Sequence, residues 1–435
     1  MRVVTFGAQV VWANSMSKFG WAGMGLILFA LMGENAYSQG VIISSAGPVH
    51  RGMGGASTAA PVTALGALYW NPATISGIQG SELEVGIDVL FTQHEVSSTV
   101  GPFSDTTEAD PGTFPVPNFG FVHRIEDSRW SLGLGVNSVG GFKTNLTSSS
   151  TNPVLMPQPN GLGQVSSEAS FLQIAPVACF EATERLSIAA GPIITTAQVG
   201  MQPFVFASAN GDSTYSDGRA TRYHWGGGAQ AGLFYLLSDN WNLGASIKST
   251  AWMETFEFDG VDENGLPRDL TAKIDLPMIV SMGAGYLGWE DWLLAADLRF
   301  IDYSNADGFG DRATYDGTGK LNGLDWSSVF AFAFGAQKAV TDRAFVRVGY
   351  SYNQNPIRNS ESFYNVATPL IYEHILSCGG SFKLNEKLAI SAAYSHYFEN
   401  TRTGLVAPPT GAIAGSSVTN TVSADFLSFG IVMQQ

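Results

Sequence analysis

Charge is scarce in this chain: Asp, Glu, Lys and Arg supply 14% of 435 residues, against about 25% in an ordinary soluble domain. Long hydrophobic runs are also missing once the first forty residues are passed. A helical span needs about 20 consecutive apolar residues, so a polytopic helical membrane protein is excluded. Basic residues are few, and 22 Lys and Arg against 37 Asp and Glu leave a formal net charge of −15. With no basic stripe to neutralise phosphates, nucleic acid is excluded as a partner. The acidity falls mainly in turns and loops, as a solvated surface. Only two cysteines occur. Cys179 and Cys378 lie in separate strand-like segments without C-x-x-C spacing, so half-buried, unpaired thiols are expected and metal ligation is not.

Catalytic signatures are missing too. There is no G-x-S-x-G and no H-E-x-x-H. Asp316-Gly317-Thr318-Gly319-Lys320-Leu321 has the look of a phosphate loop but lacks the earlier Gly and the following Ser or Thr. His50, His94, His123, His224, His374 and His396 are scattered without ligand spacing. No enzyme activity, cofactor or metal is expected.

What the chain does contain is Gly (50 residues) and aromatics (12%), at a mean hydropathy of +0.09. Near-neutral hydropathy with little charge fits a transmembrane β-barrel, where lipid-facing and lumen-facing residues alternate. Residues 1–38 read as a secretory signal. Lys18 precedes an apolar run from Phe19 to Met32, and Ala36-Tyr37-Ser38 offers small residues for cleavage before Gln39; Met16 is an alternative start. From Ser81 onward, strand-like segments with turn residues between them number fourteen: 82–95, 116–126, 130–141, 170–182, 185–203, 221–237, 240–258, 270–289, 291–304, 326–340, 343–354, 371–384, 387–400 and 420–434. Their connections alternate strictly between short and long, as in outer-membrane barrels with short periplasmic turns and long extracellular loops. Within 343–354, Val346, Val348, Tyr350 and Tyr352 share the lipid face. Arg347 takes the lumen, because an Arg on the lipid face near the midplane costs roughly 2–4 kcal/mol. A soluble β-sandwich array would not explain that alternation of loop lengths. The fold class is therefore all-β: a transmembrane antiparallel barrel of about fourteen strands over residues 81–435.

Between signal and barrel lies Arg51 to Ile78, rich in Gly and Ala and without strand alternation. It reads as a plug, residues 39–80, inside the lumen. Gly52, Gly54 and Gly55 permit positive φ and close packing to the wall, and Pro72 stiffens the exit into the first strand. An open bore of this width would leak solutes. An aqueous bore would also not help a greasy cargo, because burying each methylene gains about 0.8 kcal/mol.

Arg51-Gly52-Met53-Gly54-Gly55-Ala56 followed by Tyr69-Trp70-Asn71-Pro72-Ala73 resembles the N-terminal hatch of FadL-type outer-membrane transporters for long-chain fatty acids and other hydrophobic compounds. Trp241 to Ser249, Arg347 to Tyr352 and His374 to Tyr397 are similar to that family as well, so the resemblance covers nearly the whole mature chain. It implies a fourteen-stranded barrel closed by a hatch in the bacterial outer membrane, passive uptake of a hydrophobic small molecule, and lateral release into outer-membrane lipid through a kinked third strand. On this chain the hatch and gating residues would be Arg51, Gly52, Gly54, Gly55, Asn71, Pro72 and Ala73. Gly140-Gly141 would mark the lateral opening, since Gly marks bulges. An apolar extracellular groove would use Leu155, Met156, Leu162, Phe204, Val205 and Phe206. A monomer is expected. The alternative is a structural or adhesive surface barrel whose long loops bind partners; a polar-solute porin, which would conduct ions, is a third reading.

Overall fold

The computed structural model describes residues 39–435, so the expected signal peptide, 1–38, lies outside the described residues. Fourteen strands close into one antiparallel barrel. They are β1 Glu82–Val100, β2 Thr113–Arg124, β3 Trp130–Leu146, β4 Val165–Glu181, β5 Leu186–Gln202, β6 His224–Ser238 and β7 Trp241–Lys248, then β8 Met278–Tyr286, β9 Trp292–Asp302, β10 Val329–Ala339, β11 Ala344–Asn353, β12 His374–Lys383, β13 Leu388–Gly404 and β14 Ser417–Gln434. Each pairs with its neighbour in sequence, and β1 closes on β14 from Glu82↔Gln434 to Thr99↔Ser417. Circular closure leaves no terminal strand unpaired among the described residues, which is what a bilayer demands of a sheet.

Alternation decides which face meets lipid. In β11, Val346 and Val348 are 50% and 52% exposed while Arg347 between them is 4% exposed. Arg347 Nε donates to Gln337 Oε1 at 2.7 Å and Nη1 to Ser381 Oγ at 2.5 Å, both on neighbouring strands. In β10, Phe330 and Phe334 point outward, as do Ile390, Tyr394 and Phe398 of β13. The cysteines are both free, Cys179 buried and Cys378 exposed; the half-buried environment expected for each is wrong, because the two fall on opposite faces of their strands.

Two expected strand boundaries are corrected. The segment 240–258 is not one strand: β7 ends at Lys248, and Phe256–Val261 instead forms a loop hairpin with Pro267–Ala272. The segment 270–289 accordingly begins late, at Met278. Period-two alternation reports only that a strand has a buried and an open face. The loop hairpin has both, with Phe256, Phe258 and Leu270 buried beneath it.

Residues 39–80 carry two short helices, α1 Pro48–Arg51 and α2 Ala64–Trp70, followed by a 3-10 turn at Pro72–Gly77. Nearly every side chain here is buried, and the contacts run to strands all round the barrel. The segment therefore occupies the lumen.

Candidate transport path

The lumenal segment is fastened by charges projecting from the wall. Arg51 of α1 pairs with Asp88 of β1 at 2.7 Å, and neither side chain is more than 1% exposed. Arg51 also donates to the Ser45 carbonyl at 2.7 Å and lies over the Phe426 ring. Across the barrel, Asp297 of β9 accepts from Ser57 N at 2.8 Å, Thr58 N at 3.0 Å and Thr58 Oγ1 at 2.8 Å. Its partner Arg299, 2.6 Å away, donates to the Gly55 carbonyl and stacks over Trp70 at 3.8 Å. The first amides of a helix have no partner within it. Here Glu82 accepts from Ala64 N at 2.6 Å and Glu84 from Leu65 N at 2.9 Å, so wall carboxylates cap α2.

The expected hatch residues share this framework. Gly54 and Gly55 adopt φ of +65° and +83°, and the Gly54 carbonyl accepts from Ser351 Oγ of β11 at 2.9 Å. Gly52 packs against Gly379 of β12. Asn71 Nδ2 donates to the carbonyls of Thr58 (2.8 Å) and Leu233 (2.9 Å), and its Oδ1 accepts from Ala73 N at 3.1 Å. Pro72 opens the 3-10 turn, where its missing N–H costs nothing.

The wall is interrupted at one place beside this segment. β2 and β3 pair only from Asn118↔Asn137 to Arg124↔Ser131. Above that point Thr113 to Pro117 remain paired to β1, and Gly140 to Leu146 to β4, but not to one another. Among the described residues the single side-chain link is Ser138 Oγ to the Pro117 carbonyl at 3.3 Å, and the backbone bond Asp110 N to Asn145 O (2.8 Å) closes the top. β3 bulges between Ser138 and Gly140, and the lumenal chain docks there: Ile42 bridges Gly140 and Ile43 N donates to Val139 O at 2.9 Å. A Cβ on Gly140 would lie 2.9 Å from Val41 O, and one on Gly141 2.8 Å from Ala169 O, so neither position admits a larger side chain without movement. Both glycines thus border this window. An unpaired edge in lipid is costly; Pro115 and Pro117 have no N–H to leave unsatisfied.

A cavity of about 880 Å³, including its mouth, lies behind the window, with Val41, Ile42, Leu90, Phe114, Phe142 and Phe426 among its walls. Phe114 and Gly141 face each other across the gap, 3.4 Å from ring carbon to an added Cβ. Phe142 also lines a second cavity of about 870 Å³ among the extracellular loops, with Met201, Phe206 and Phe309. A third, about 420 Å³, shares Met201 and Phe206 with it and is lined also by Leu162, Val205 and Tyr315; burial raises the Tyr315 phenol far above its usual range. The six expected groove residues therefore divide. Leu162, Val205 and Phe206 line loop cavities. Phe204 instead packs on Phe258 at 4.6 Å, Leu155 is buried with Val96 and Leu146, and Met156 lines none of these cavities. Apolar loop residues serve the loops' own core as readily as a groove. No cluster of metal-binding side chains occurs among the described residues.

The family model for outer-membrane protein transport proteins (OMPP1/FadL/TodX) matches residues 31–433. The chain belongs to this family. As an OMPP1/FadL/TodX member it is an outer-membrane β-barrel of a family that transports hydrophobic compounds. Among solved structures it is similar to the Pseudomonas putida toluene transporter TodX, at 18% identity and a TM-score of 0.66 over 90% of this chain and 99% of that one. A Pseudomonas aeruginosa FadL homologue is similar at 15% identity and 0.70, covering 91% and 99%. The Ralstonia pickettii toluene transporter TbuX is similar at 17% and 0.66, covering 90% and 98%. At these identities the likeness concerns the fold. A comparison with curated sequences returns no significant match.

In this OMPP1/FadL/TodX chain the fastening charges Glu82, Glu84, Asp88, Asp297 and Arg299 were not singled out by sequence reasoning. Their signal was present: an ionic residue at a lumen-facing position of an otherwise apolar strand needs a partner inside. The window had a signal as well in Pro115-Val116-Pro117, since proline within a strand marks an edge.

Proposed function

We propose that the chain takes up hydrophobic small molecules, long-chain fatty acids or similar hydrocarbons, passively from outside the cell and releases them sideways into the outer membrane. One observation supports this reading: the largely apolar cavity beside residues 39–44 is walled by Phe114 and by Gly141 to Thr144, which flank the stretch where β2 and β3 are unpaired. Cargo would enter through the loop cavities, pass Phe142 into the inner cavity, and leave between Phe114 and Gly141. No step requires energy input, because an alkyl or aryl group is stabilised in the cavity and again in the bilayer at about 0.8 kcal/mol per methylene. In this reading residues 51–78 bar the axial route. Arg51, Gly52, Gly54, Gly55, Asn71, Pro72 and Ala73 hold the bar in place, while the docked segment 41–43 is the movable part of the gate.

The test is Gly140→Val with Gly141→Val, which fills the bulge. Insertion, read as heat-modifiable mobility on a gel, is expected to persist while uptake of a radiolabelled long-chain fatty acid or of toluene falls. Unchanged uptake would remove the side exit.

A further inference from the structure

The inner cavity is not uniformly greasy, and its polar members divide into those already satisfied and those left over. His94 pairs through Nδ1 with Thr144 Oγ1 at 2.8 Å and through Nε2 with Asn420 Oδ1 at 3.3 Å, so both ring nitrogens are engaged within the wall. Lys143 reaches Glu168 at 3.6 Å on the exposed side. Two amides differ. Gln39, 4% exposed, has neither Nε2 nor Oε1 hydrogen-bonded among the described residues, and Asn353, 1% exposed, has an unpaired Nδ2. Both line this one cavity, from opposite origins: Gln39 from the lumenal segment and Asn353 from the upper end of β11.

The Gln39 carbonyl accepts from Tyr303 Oη at 2.8 Å, and Asn353 N donates to the Glu373 carbonyl at 2.9 Å, so both backbones are held. A buried donor without a partner destabilises the fold, and native proteins keep few of them. A cavity meant for bare hydrocarbon would be better served by leucine at both positions. From this, and resting on the transport reading above, we infer that the cavity selects cargo carrying a hydrogen-bond-accepting oxygen on an apolar body, as in a ketone or ester, over the plain hydrocarbon of the same shape. The oxygen accepts from Asn353 Nδ2 or Gln39 Nε2, and the apolar body lies against Leu90, Phe142 and Phe426. A site with a hydrogen-bonding group discriminates against an analogue lacking the matching atom more strongly than an apolar pocket discriminates by size.

The probes are acetophenone and ethylbenzene, which differ by one carbonyl and are both uncharged, so hydrogen bonding is read apart from charge. Each is titrated by calorimetry into the full chain in lipid nanodiscs, with empty nanodiscs subtracted. The protein variants are the unaltered chain and Gln39→Leu/Asn353→Leu, with heat-modifiable mobility as the folding check. The expected result is a loss of acetophenone affinity of about tenfold or more in the double variant, with ethylbenzene unchanged or tighter. Should the double variant fail to insert, Gln39→Leu alone carries the test, since Gln39 lies outside the barrel strands. Acetophenone affinity that is unchanged, or that falls in step with ethylbenzene, overturns the inference while leaving the transport reading intact. Binding of neither probe to the unaltered chain would overturn both.

Discussion

Asp297→Ala would unfasten the lumenal segment without touching its sequence. In the native structure this carboxylate accepts from three groups on Ser57 and Thr58 and balances Arg299, all buried. Removing one member of a buried pair costs roughly 3–5 kcal/mol, because the other charge is left uncompensated. Arg299 would keep only its bond to the Gly55 carbonyl and its stacking on Trp70. If that cost falls on local opening of residues 55–60, even its lower end, about 3 kcal/mol, multiplies opening about a hundredfold. Hydrogen exchange of peptides spanning 51–78, followed by mass spectrometry in nanodiscs, reads this directly. Exchange there should accelerate about a hundredfold, with β12 to β14 unchanged. Asp297→Asn keeps one acceptor oxygen and should fall between. Equal protection in the variant would refute the fastening argument; equal acceleration across the barrel strands would show that the charge stabilises the wall and not the plug.

Other outcomes follow from the same geometry. Asp88→Asn should loosen α1 by leaving Arg51 without a carboxylate, speeding exchange around residues 48–54 while Asp297's end of the segment holds. Phe114→Ala removes the side chain that spans the window, so uptake of a hydrophobic probe should rise severalfold with no gain in planar-bilayer ion conductance; a gain in conductance would mean that Phe114 seals the bore. Cys378 should react with a lipid-soluble maleimide in intact membranes while Cys179, buried beneath the Ala73 carbonyl, stays unlabelled until the barrel is unfolded. Labelling of both at once would contradict the assigned faces.

The barrel was legible because its physics is periodic. A two-faced strand writes alternation into the sequence, as at Val346-Arg347-Val348, and a tight turn writes in its Asp, Asn and Ser, as at Ser238-Asp239-Asn240. That same economy misled at 240–258, where a loop hairpin shows the barrel's alternation because it too covers a core. The window is half visible in the expected lateral opening at Gly140-Gly141; the edge prolines Pro115 and Pro117 across from it carry the other half of the same signal. The groove was read least well. Hydrophobicity marks a residue for burial without saying under what, and Phe204 and Leu155 found protein where a ligand was expected. The partners of Asp88 and Asp297 on the lumenal segment, Arg51 and Ser57-Thr58, lie 37 and about 240 residues away in sequence. Such pairings are fixed by barrel closure and have no local signature.

Photolabelling distinguishes the side exit from an axial one most directly. A cavity of about 870 Å³, including its mouth, lies at the other end of the lumenal segment, where Arg124, Glu181 and Arg185 join Ser76 and Ile78 in its lining, and cargo crossing the bore would have to pass it. A diazirine-bearing fatty acid, added outside cells and activated during uptake, should mark Ile42, Phe114 and Phe142 and spare residues 76–80. Label concentrated on residues 76–80 and Arg124, with none at Phe114, would place the route straight through the barrel and contradict release into the bilayer.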